Sequence, residues 1–230
     1  MLHLEVLAPS GRTRPTTFAV SDLVLAGFSA RDTQARDAHI EELRELGIEP
    51  PSELPSFWSM SPELVSTASR LRVQGHDTSG EVEFVLLFAG NETFVGVGSD
   101  QTDRVLEAHS IPRSKQVCGK VLGRTVVRLD DVLDVWDDIT LRCDVYEADG
   151  GWRPYQEAAL ATVLPVDELV TLCFGPAGPA PGTILMSGTI PLLDGVTRYL
   201  SQYRCAMRIP GFDQELAFHY AVEVLPDRTN

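Results

Sequence analysis

Two glutamates open an otherwise apolar segment, Gly80-Glu81-Val82-Glu83-Phe84. In a β-strand, alternate side chains share a face, so Glu81 and Glu83 point the same way, roughly 7 Å apart, while Val82 and Phe84 point to the other face. Like charges on one face repel each other unless water or a cation lies between them, and hard divalent ions such as Mg²⁺ take carboxylate oxygens. The pair therefore indicates either a solvated strand edge or part of a metal site.

A third carboxylate follows the next apolar segment. The residues from Val95 to Arg104 predict a strand that passes two glycines and leads into a helix over Gln101–Ala108. At the start of that helix Asp100 is either a cap or a further metal ligand. The Gly-x-Gly is not a dinucleotide fingerprint, because the third glycine and the acidic residue after a βαβ unit are absent.

An acid–base pair is predicted nearer the N-terminus. The segment Arg36–Leu46 has apolar residues at helical spacing, and it contains His39 and Glu42. Side chains three residues apart on a helix are neighbours, so these two can form an imidazole–carboxylate dyad that takes a proton from water, or they are a solvated surface pair. A polar, Pro-flanked stretch, Ser114-Lys115-Gln116, supplies a lysine.

The elements that must position these residues are mostly short strands. Apolar or alternating runs bounded by Gly and Pro predict strands, whereas prolines in Ile48–Trp58 predict an extended arm. Two further helices are predicted at Asp130–Trp136 and Val166–Phe174. The pattern indicates a β-rich α+β fold, one compact domain with an N-terminal part (1–70) of strands, helix and Pro-rich arm packed on a core (71–230). The predicted strands are Leu2–Leu7, Val20–Ala26, Leu71–Val73, Glu81–Phe88, Thr93–Val97, Val121–Arg128, Ile139–Val145, Thr183–Met186, Tyr203–Ile209 and Leu216–Val224.

Composition excludes several classes of function. The chain has 230 residues, with 19 Lys and Arg against 33 Asp and Glu, and a formal charge of -14, which argues against binding the phosphate backbone of nucleic acid. No apolar run is long enough for a membrane span and the N-terminus lacks a secretory signal, so we expect a cytoplasmic protein. The four cysteines lie too far apart for a zinc knuckle.

Taken in order, these motifs resemble those of the fumarylacetoacetate hydrolase superfamily, in particular a little-characterised bacterial branch. Over most of residues 22–225, the similar segments are Glu81-Val82-Glu83 for an E-x-E metal pair, Asp100-Gln101-Thr102-Asp103-Arg104 for D-x-T-x-R, Ser114-Lys115 for an active-site lysine, Tyr155-Gln156-Glu157 for Q-(D/E)-G, and Pro181–Thr189 for P-G-D-x-I-x-T-G-T. The chain departs from the pattern in shorter intervals between the motifs, in Ser187 where the loop has Thr, and in an aromatic Pro50–Met60 segment.

The resemblance implies a mixed β-sheet roll or barrel with short flanking helices, and it assigns roles to residues. Glu81, Glu83 and Asp100 hold Mg²⁺, or Mn²⁺ or Ca²⁺, and His39 with Glu42 activates water from an N-terminal lid. Lys115 acts on the substrate oxyanion or carboxylate, and the implied substrate contacts are Arg104, Gln116, Gln156, Gly188 and Thr189. The family also implies a homodimer.

These roles predict a metal-dependent hydrolase that cleaves a C–C bond of a β-dicarbonyl or α-keto acid through a metal-stabilised enolate. Three alternatives stay open at this stage. The same chemistry serves a decarboxylase, hydratase or isomerase, the fold without chemistry serves as a binding protein, and a purely structural, oligomer-forming role is the third. For the enzymes and the binding protein the expected partner is a small carboxylate or keto acid.

Overall fold

The structure, a computed structural model, describes residues 1–34, 51 and 53–228. Strands are the commonest regular structure in this part, and short helices and turns join them. The strands are β1 Leu2–Leu7, β2 Thr13–Phe18, β3 Asp22–Gly27, β4 Ser56–Met60, β5 Val65–Ser66, β6 Arg70–Val73, β7 Thr78–Phe88, β8 Thr93–Asp103, β9 Lys120–Arg128, β10 Thr140–Tyr146, β11 Trp152–Ala159, β12 Thr183–Met186, β13 Gln202–Arg208 and β14 Leu216–Val224. The α-helices are α1 Arg104–Glu107, α2 Ile111–Gln116 and α3 Val166–Phe174.

The strands form two mixed sheets. The larger has the order β2-β1-β9-β8-β7-β12-β3-β4, with β5 pairing β9, and the smaller has the order β11-β10-β13-β14-β6. Within the larger sheet β1 runs parallel to β9 and β12 parallel to β3, and the remaining neighbours along that order are antiparallel. Strands from the first 70 residues therefore pair directly with strands from the rest of the chain.

The two sheets enclose the main hydrophobic core. Alternate residues of β7, such as Phe84 and Leu86, pack in one cluster with Leu141 of β10 and Tyr220 of β14. The residues between them, such as Val85 and Leu87, belong to a second cluster on the opposite face of the larger sheet, together with residues of β1, β3, β9 and β12. Both faces of β7 are buried, which explains its long apolar run.

The prediction of a β-rich α+β fold with mixed sheets and short helices is confirmed. The predicted helix at Val166–Phe174 is present, whereas Asp130–Trp136 is replaced by two 3₁₀ turns, Leu129–Asp131 and Leu133–Asp138. The strands β2, β4, β5 and β11 were not predicted. No helix in the described part of the chain is long and apolar enough to cross a membrane.

The prediction of a helix over Gln101–Ala108 is wrong for its first three residues. The strand β8 continues to Asp103, whose side chain accepts a hydrogen bond from the backbone N–H of Leu106 and caps α1. Asp100 is therefore a strand residue and not a helix cap. The predicted helix Arg36–Leu46 lies outside the described residues.

A buried polar network connects the sheets behind β7. The Tyr220 hydroxyl lies 2.8 Å from Ser99 Oγ and donates a hydrogen bond of 2.9 Å to Gln101 Oε1. Gly80 lies against this network, and a Cβ placed on it would overlap the Tyr220 hydroxyl and lie 2.8 Å from Ser99 Oγ. The absence of a side chain at Gly80 therefore lets β7 pass the network and place Glu81 on the opposite face.

We expect Gly80→Ala to destabilise the protein by about 1–3 kcal/mol, because buried and hydrogen-bonded Tyr220 cannot yield to the added methyl group without loss. Urea unfolding followed by circular dichroism measures the change. The control is Gly151→Ala, where the nearest atom to a new Cβ is 3.7 Å away. Equal stabilities of the two variants would contradict this account of Gly80.

Candidate functional site

Strand pairing brings the three predicted carboxylates together. Glu81 of β7 lies directly opposite Asp100 of β8, and Glu83 lies opposite Gly98. On the other side of β8, Asp100 pairs with Lys120 of β9. Because residues opposite each other in a sheet share a face, these side chains form a row across three adjacent strands. The expectation that Glu81 and Glu83 share a face agrees with this register.

Asp100 is the centre of the row and has two cationic partners. Lys115 Nζ is 2.5 Å from Oδ2, and Lys120 Nζ is 2.7 Å from Oδ1. Burial acts to raise the pKa of Asp100, but the two ammonium groups outweigh it and hold the pKa below its usual range. Although Lys120 is close, its angle leaves Oδ1 without a hydrogen bond. Asp100 is thus an ionised, buried carboxylate with one oxygen incompletely satisfied.

Glu83 is buried, and no cationic side chain in the described part of the chain is in direct contact with it. Its Oε2 accepts a hydrogen bond of 3.0 Å from the backbone N–H of Gly188, and the residue is 1% exposed. Burial and the charge of Asp100 raise the pKa of Glu83 well above its ordinary value. Gly188 has φ of 80°, and a Cβ there would be 2.5 Å from Ser29 Oγ, so the loop needs a glycine to approach Glu83.

Glu81 lies at the more exposed end of the row. Arg104 Nη2 is 2.8 Å from Glu81 Oε1, and Arg104 Nη1 is 2.7 Å from Glu107 Oε2. The same guanidinium donates to Ser79 Oγ. Burial opposes the charged form of Arg104, but Glu81 and Glu107 raise its pKa well above the usual value. The predicted substrate contact Arg104 is thus an ion-pair partner of a predicted metal ligand.

The two lysines come from different elements. Lys115 lies on α2, which packs on β8, and its Nζ is 6.0 Å from the centre of the Trp58 ring. Burial acts against its charge, but Asp100, Glu81 and Glu83 raise the pKa of Lys115 above its usual value. Lys120 is 1% exposed, and its Nζ donates to the carbonyls of Gln101 and Lys115. Burial lowers the pKa of Lys120.

Lys120 was missed by the sequence reasoning. The one signal available was a lysine immediately before the apolar strand Val121–Arg128, a position that more often marks a solvated strand end. Only the register of β8 against β9 reveals that it faces Asp100.

Three predicted substrate contacts have other partners in the structure. Gln156 accepts a hydrogen bond from Val82 N–H and donates to Thr189 Oγ1 and to the carbonyl of Ile190, so it links β11 to β7 and to the loop after β12. Gln116 exchanges hydrogen bonds with the backbone N–H and the hydroxyl of Ser61. Thr189 is exposed beside Gln156. Their contact with a substrate stays a prediction.

His39 and Glu42, the predicted water-activating dyad, lie outside the described residues. The described chain leads towards them through Ser29, whose hydroxyl donates to the carbonyl of Ser187 beside Gly188. Ser29 is thus attached to the loop that contacts Glu83.

The row of carboxylates fits a divalent cation in residue type. Across residues 1–34, 51 and 53–228, no three His, Cys, Asp or Glu side chains are arranged to hold a metal ion together. Arg104 contacts Glu81 Oε1, Gly188 N–H contacts Glu83 Oε2, and the two lysines lie against the oxygens of Asp100. The incompletely satisfied Oδ1 of Asp100 and the buried carboxylate of Glu83 are nevertheless the groups that a cation would stabilise. A metal must compete with the cations already present.

Comparison with known sequences gives one family. The sequence pattern of DUF2848, described as protein of unknown function, matches residues 26–220. Among curated proteins, no sequence matches the chain.

Comparison with solved structures gives a common fold at low identity. Cg1458 with inhibitor has a TM-score of 0.65 and 15% identity, covering 98% of this chain and 89% of that chain. Another structure of Cg1458 has a TM-score of 0.64 and 14% identity, over 94% and 80% of the two chains. A 2-keto-3-deoxy-D-arabinonate dehydratase complexed with magnesium and 2,5-dioxopentanoate has a TM-score of 0.62 and 14% identity, over 94% and 77%.

The raised pKa of Glu83 predicts a pH dependence of stability. Between the ordinary pKa of 4.5 and the raised value, the folded protein binds a proton that the unfolded chain has lost, so stability falls as pH rises through this window. Glutamine keeps the shape without titrating. We therefore expect Glu83→Gln to gain stability over the natural protein by up to about 1.4 kcal/mol per pH unit in that window.

Urea unfolding of the natural protein and of Glu83→Gln, in the presence of a chelator and at several pH values between 5 and 8, measures the difference between their free energies of unfolding. The control is Glu63→Gln at an exposed position, and its difference in stability from the natural protein should not grow with pH. A difference in free energy of unfolding that stays constant with pH would contradict the protonation of buried Glu83.

Proposed function

Because the chain belongs to the DUF2848 family, described as protein of unknown function, we propose its activity from its own site: a divalent-metal-dependent enzyme of the fumarylacetoacetate hydrolase type that acts on a small keto acid. The preferred reaction is hydrolysis of a C–C bond in a β-dicarbonyl substrate.

The observation that carries the proposal is the alignment of Glu81, Glu83 and Asp100 on one face of two adjacent strands, with Lys115 on Asp100. A surface strand edge accounts poorly for Glu83 and Asp100, because both are buried. Burying two carboxylates side by side is costly unless positive charge compensates them. The likeness in fold to a magnesium-containing keto acid dehydratase supports the same interpretation.

Under this proposal Glu81, Glu83 and Asp100 hold Mg²⁺, Mn²⁺ or Ca²⁺. When bound, the ion supplies Lewis acidity that polarises the substrate's carbonyl oxygens. Lys115 donates a hydrogen bond from its ammonium to the substrate carboxylate or to the oxygen that gains negative charge. Arg104 holds Glu81 and balances its charge, and Thr189 with the Gly188 loop borders the substrate.

Hydrolysis depends on a base that activates water, and His39 with Glu42 is proposed for that role. The second candidate is a lyase, and the specific observation in its favour is that a similar fold belongs to a dehydratase. Both reactions need the same carboxylates and lysine, and they differ in the need for a placed water. The third candidate is a binding protein without catalytic activity, and a calorimetric titration that detects no metal binding would support it.

We expect Glu83→Ala to abolish Mn²⁺ binding and turnover, because it removes one of the three proposed metal ligands. The chain should stay folded, because within the described residues the Glu83 side chain contributes a single hydrogen bond, from Gly188 N–H. Isothermal titration calorimetry with Mn²⁺ measures the binding. Glu63→Ala, on an exposed turn, should bind as the natural protein does. Full activity of a protein that binds no metal would rule out the proposed function.

We expect His39→Ala to lower the rate of pyruvate release from a 2,4-diketo acid by about 10²-fold or more, since general base catalysis contributes about that much. Mn²⁺ affinity should not change. The exposed His76→Ala is the matched control. A His39→Ala variant that keeps its rate would instead favour the lyase.

A further inference from the structure

Trp58 is an aromatic side chain beside the proposed site that the proposed function does not use. It lies on β4, where it pairs with Leu25 of β3. Trp58 packs against the hydrophobic cluster that contains Leu25 and Val85, and Val85 follows Glu83 by two residues on β7. Because residues two apart on a strand share a face, the indole lies on the face of the larger sheet that carries the carboxylate row.

The far end of the indole ring lies over a glycine of the neighbouring strand. A Cβ placed on Gly27 would be 2.5 Å from Cζ3 and 2.7 Å from Cη2 of Trp58, closer than non-bonded carbon atoms approach. Gly27 follows Leu25 by two residues and therefore faces the same side. The absence of a side chain at Gly27 thus lets the ring lie flat along β3 from the level of Leu25 to the level of Gly27.

A second glycine lies between this position and the carboxylate row. The strand β12 lies between β3 and β7, and Gly188 follows it. Gly188 N–H donates to Glu83 Oε2, and a Cβ on Gly188 would be 3.2 Å from the carbonyl oxygen of Ala26, next to Gly27. Gly188 therefore lies between Gly27 and Glu83, and neither glycine adds a side chain between the indole and the carboxylate.

The ammonium of Lys115 faces the same ring. Its Nζ lies over the Trp58 ring, 6.0 Å from the ring centre, which is the outer limit of a cation–π contact. The helix that carries Lys115 is attached to the end of β4, because Gln116 makes hydrogen bonds with the backbone N–H and the hydroxyl of Ser61. The distance between ammonium and indole is therefore set by two elements that are joined to each other.

The gap between ammonium and ring corresponds to one flat layer of atoms. A carbon atom in contact with an aromatic ring lies about 3.5 Å from it, and an oxygen that accepts from an ammonium lies about 2.8 Å from the nitrogen. Together these distances come close to the 6.0 Å between Lys115 Nζ and the ring centre. An ammonium has three N–H donors, and in the described part of the chain Lys115 donates one of them to Asp100. A flat acceptor can thus stack on Trp58 and accept from Lys115 at the same time.

We propose that Trp58 is a specificity-determining residue, whose indole face stacks on the conjugated part of a keto acid while Lys115 donates to its oxygen. This inference rests on the proposed function and narrows its substrate to keto acids that conjugation keeps flat, such as the enol of a 2,4-diketo acid. A saturated chain is not flat and touches the ring with fewer atoms. A chain with several hydroxyl groups would lose hydrogen bonds to water against the indole face.

The experiment titrates two acids separately into the Mn²⁺-loaded, full-length protein by calorimetry. The acids are 2-oxopentanoate and trans-2-oxopent-3-enoate, which have the same carbon chain, charge and keto-acid oxygens, and a double bond keeps only the second flat. The variants are Trp58→Leu, which is apolar without a ring, Trp58→Phe, which keeps a smaller ring, and Gly27→Ala, which displaces the indole. The control is Phe57→Leu on the same strand, where the side chain packs against the main core on the opposite face.

We expect the natural protein to bind the unsaturated acid about 5-fold more tightly than the saturated acid, since stacking on an aromatic ring contributes about that much. Trp58→Leu and Gly27→Ala should remove this preference by weakening the binding of the unsaturated acid alone. Trp58→Phe should keep part of the preference, and Phe57→Leu should keep all of it. The affinity for Mn²⁺, titrated into the metal-free proteins, should be the same in every variant.

A purely structural indole predicts a different result, because loosening the site would weaken both acids and Mn²⁺ together. The proposal is overturned if the folded Trp58→Leu or Gly27→Ala variant keeps the preference or weakens both acids equally, and also if neither Trp58 variant folds. If the natural protein binds no Mn²⁺, or binds neither acid, the proposed function fails. If it binds Mn²⁺ and both acids with equal affinity, only the role of Trp58 fails.

Discussion

The site depends on one buried interaction, the carboxylate of Asp100 between two lysines. Three charges removed from water cost several kcal/mol each unless they are paired and hydrogen-bonded. Here Lys115 donates a hydrogen bond to Asp100, Lys120 pairs with it electrostatically, and Lys120 also donates to two backbone carbonyls. Because one of those carbonyls ends α2, the same interaction fixes the helix that supplies Lys115. A change at Asp100 therefore affects a helix and two strands together.

Sheet register does the rest of the positioning. The row of acidic side chains exists because Glu81 pairs with Asp100 and Asp100 with Lys120, and a slip of one residue would turn every member to the other face. The opposite face of the same strands is held by Ser99, Gln101 and Tyr220, whose hydroxyl lies where a Gly80 side chain would be. Gln156 links the second sheet to Val82 between the two glutamates.

The parts of the fold and of the candidate site that could be predicted are those in which neighbouring residues follow a regular pattern of apolar and polar side chains. The alternation of side chains along a strand predicted that Glu81 and Glu83 share a face. Apolar runs predicted most of the strands, because a strand that is buried on one face has an apolar residue at every second position. The polar run Ser99–Asp103 led to a wrong prediction of a helix start, since such residues favour turns and helix caps. In the structure these residues form a strand that pairs with β7 and β9 and is largely buried. Lys120 faces Asp100 only through the register of β9 against β8, which no local pattern records.

The overall charge and the charge of the site act on different scales. A net charge of -14 repels anions at a distance, but salt screens that repulsion beyond roughly 8–10 Å. Within the row, carboxylates and cations nearly cancel, so the sign of the local field is decided by a single added ion. Under the proposed function, an anionic substrate that reaches the row meets this local balance of charges rather than the net charge of the chain. Arg104 is 13% exposed, and it lies at the end of the row that is closest to solvent.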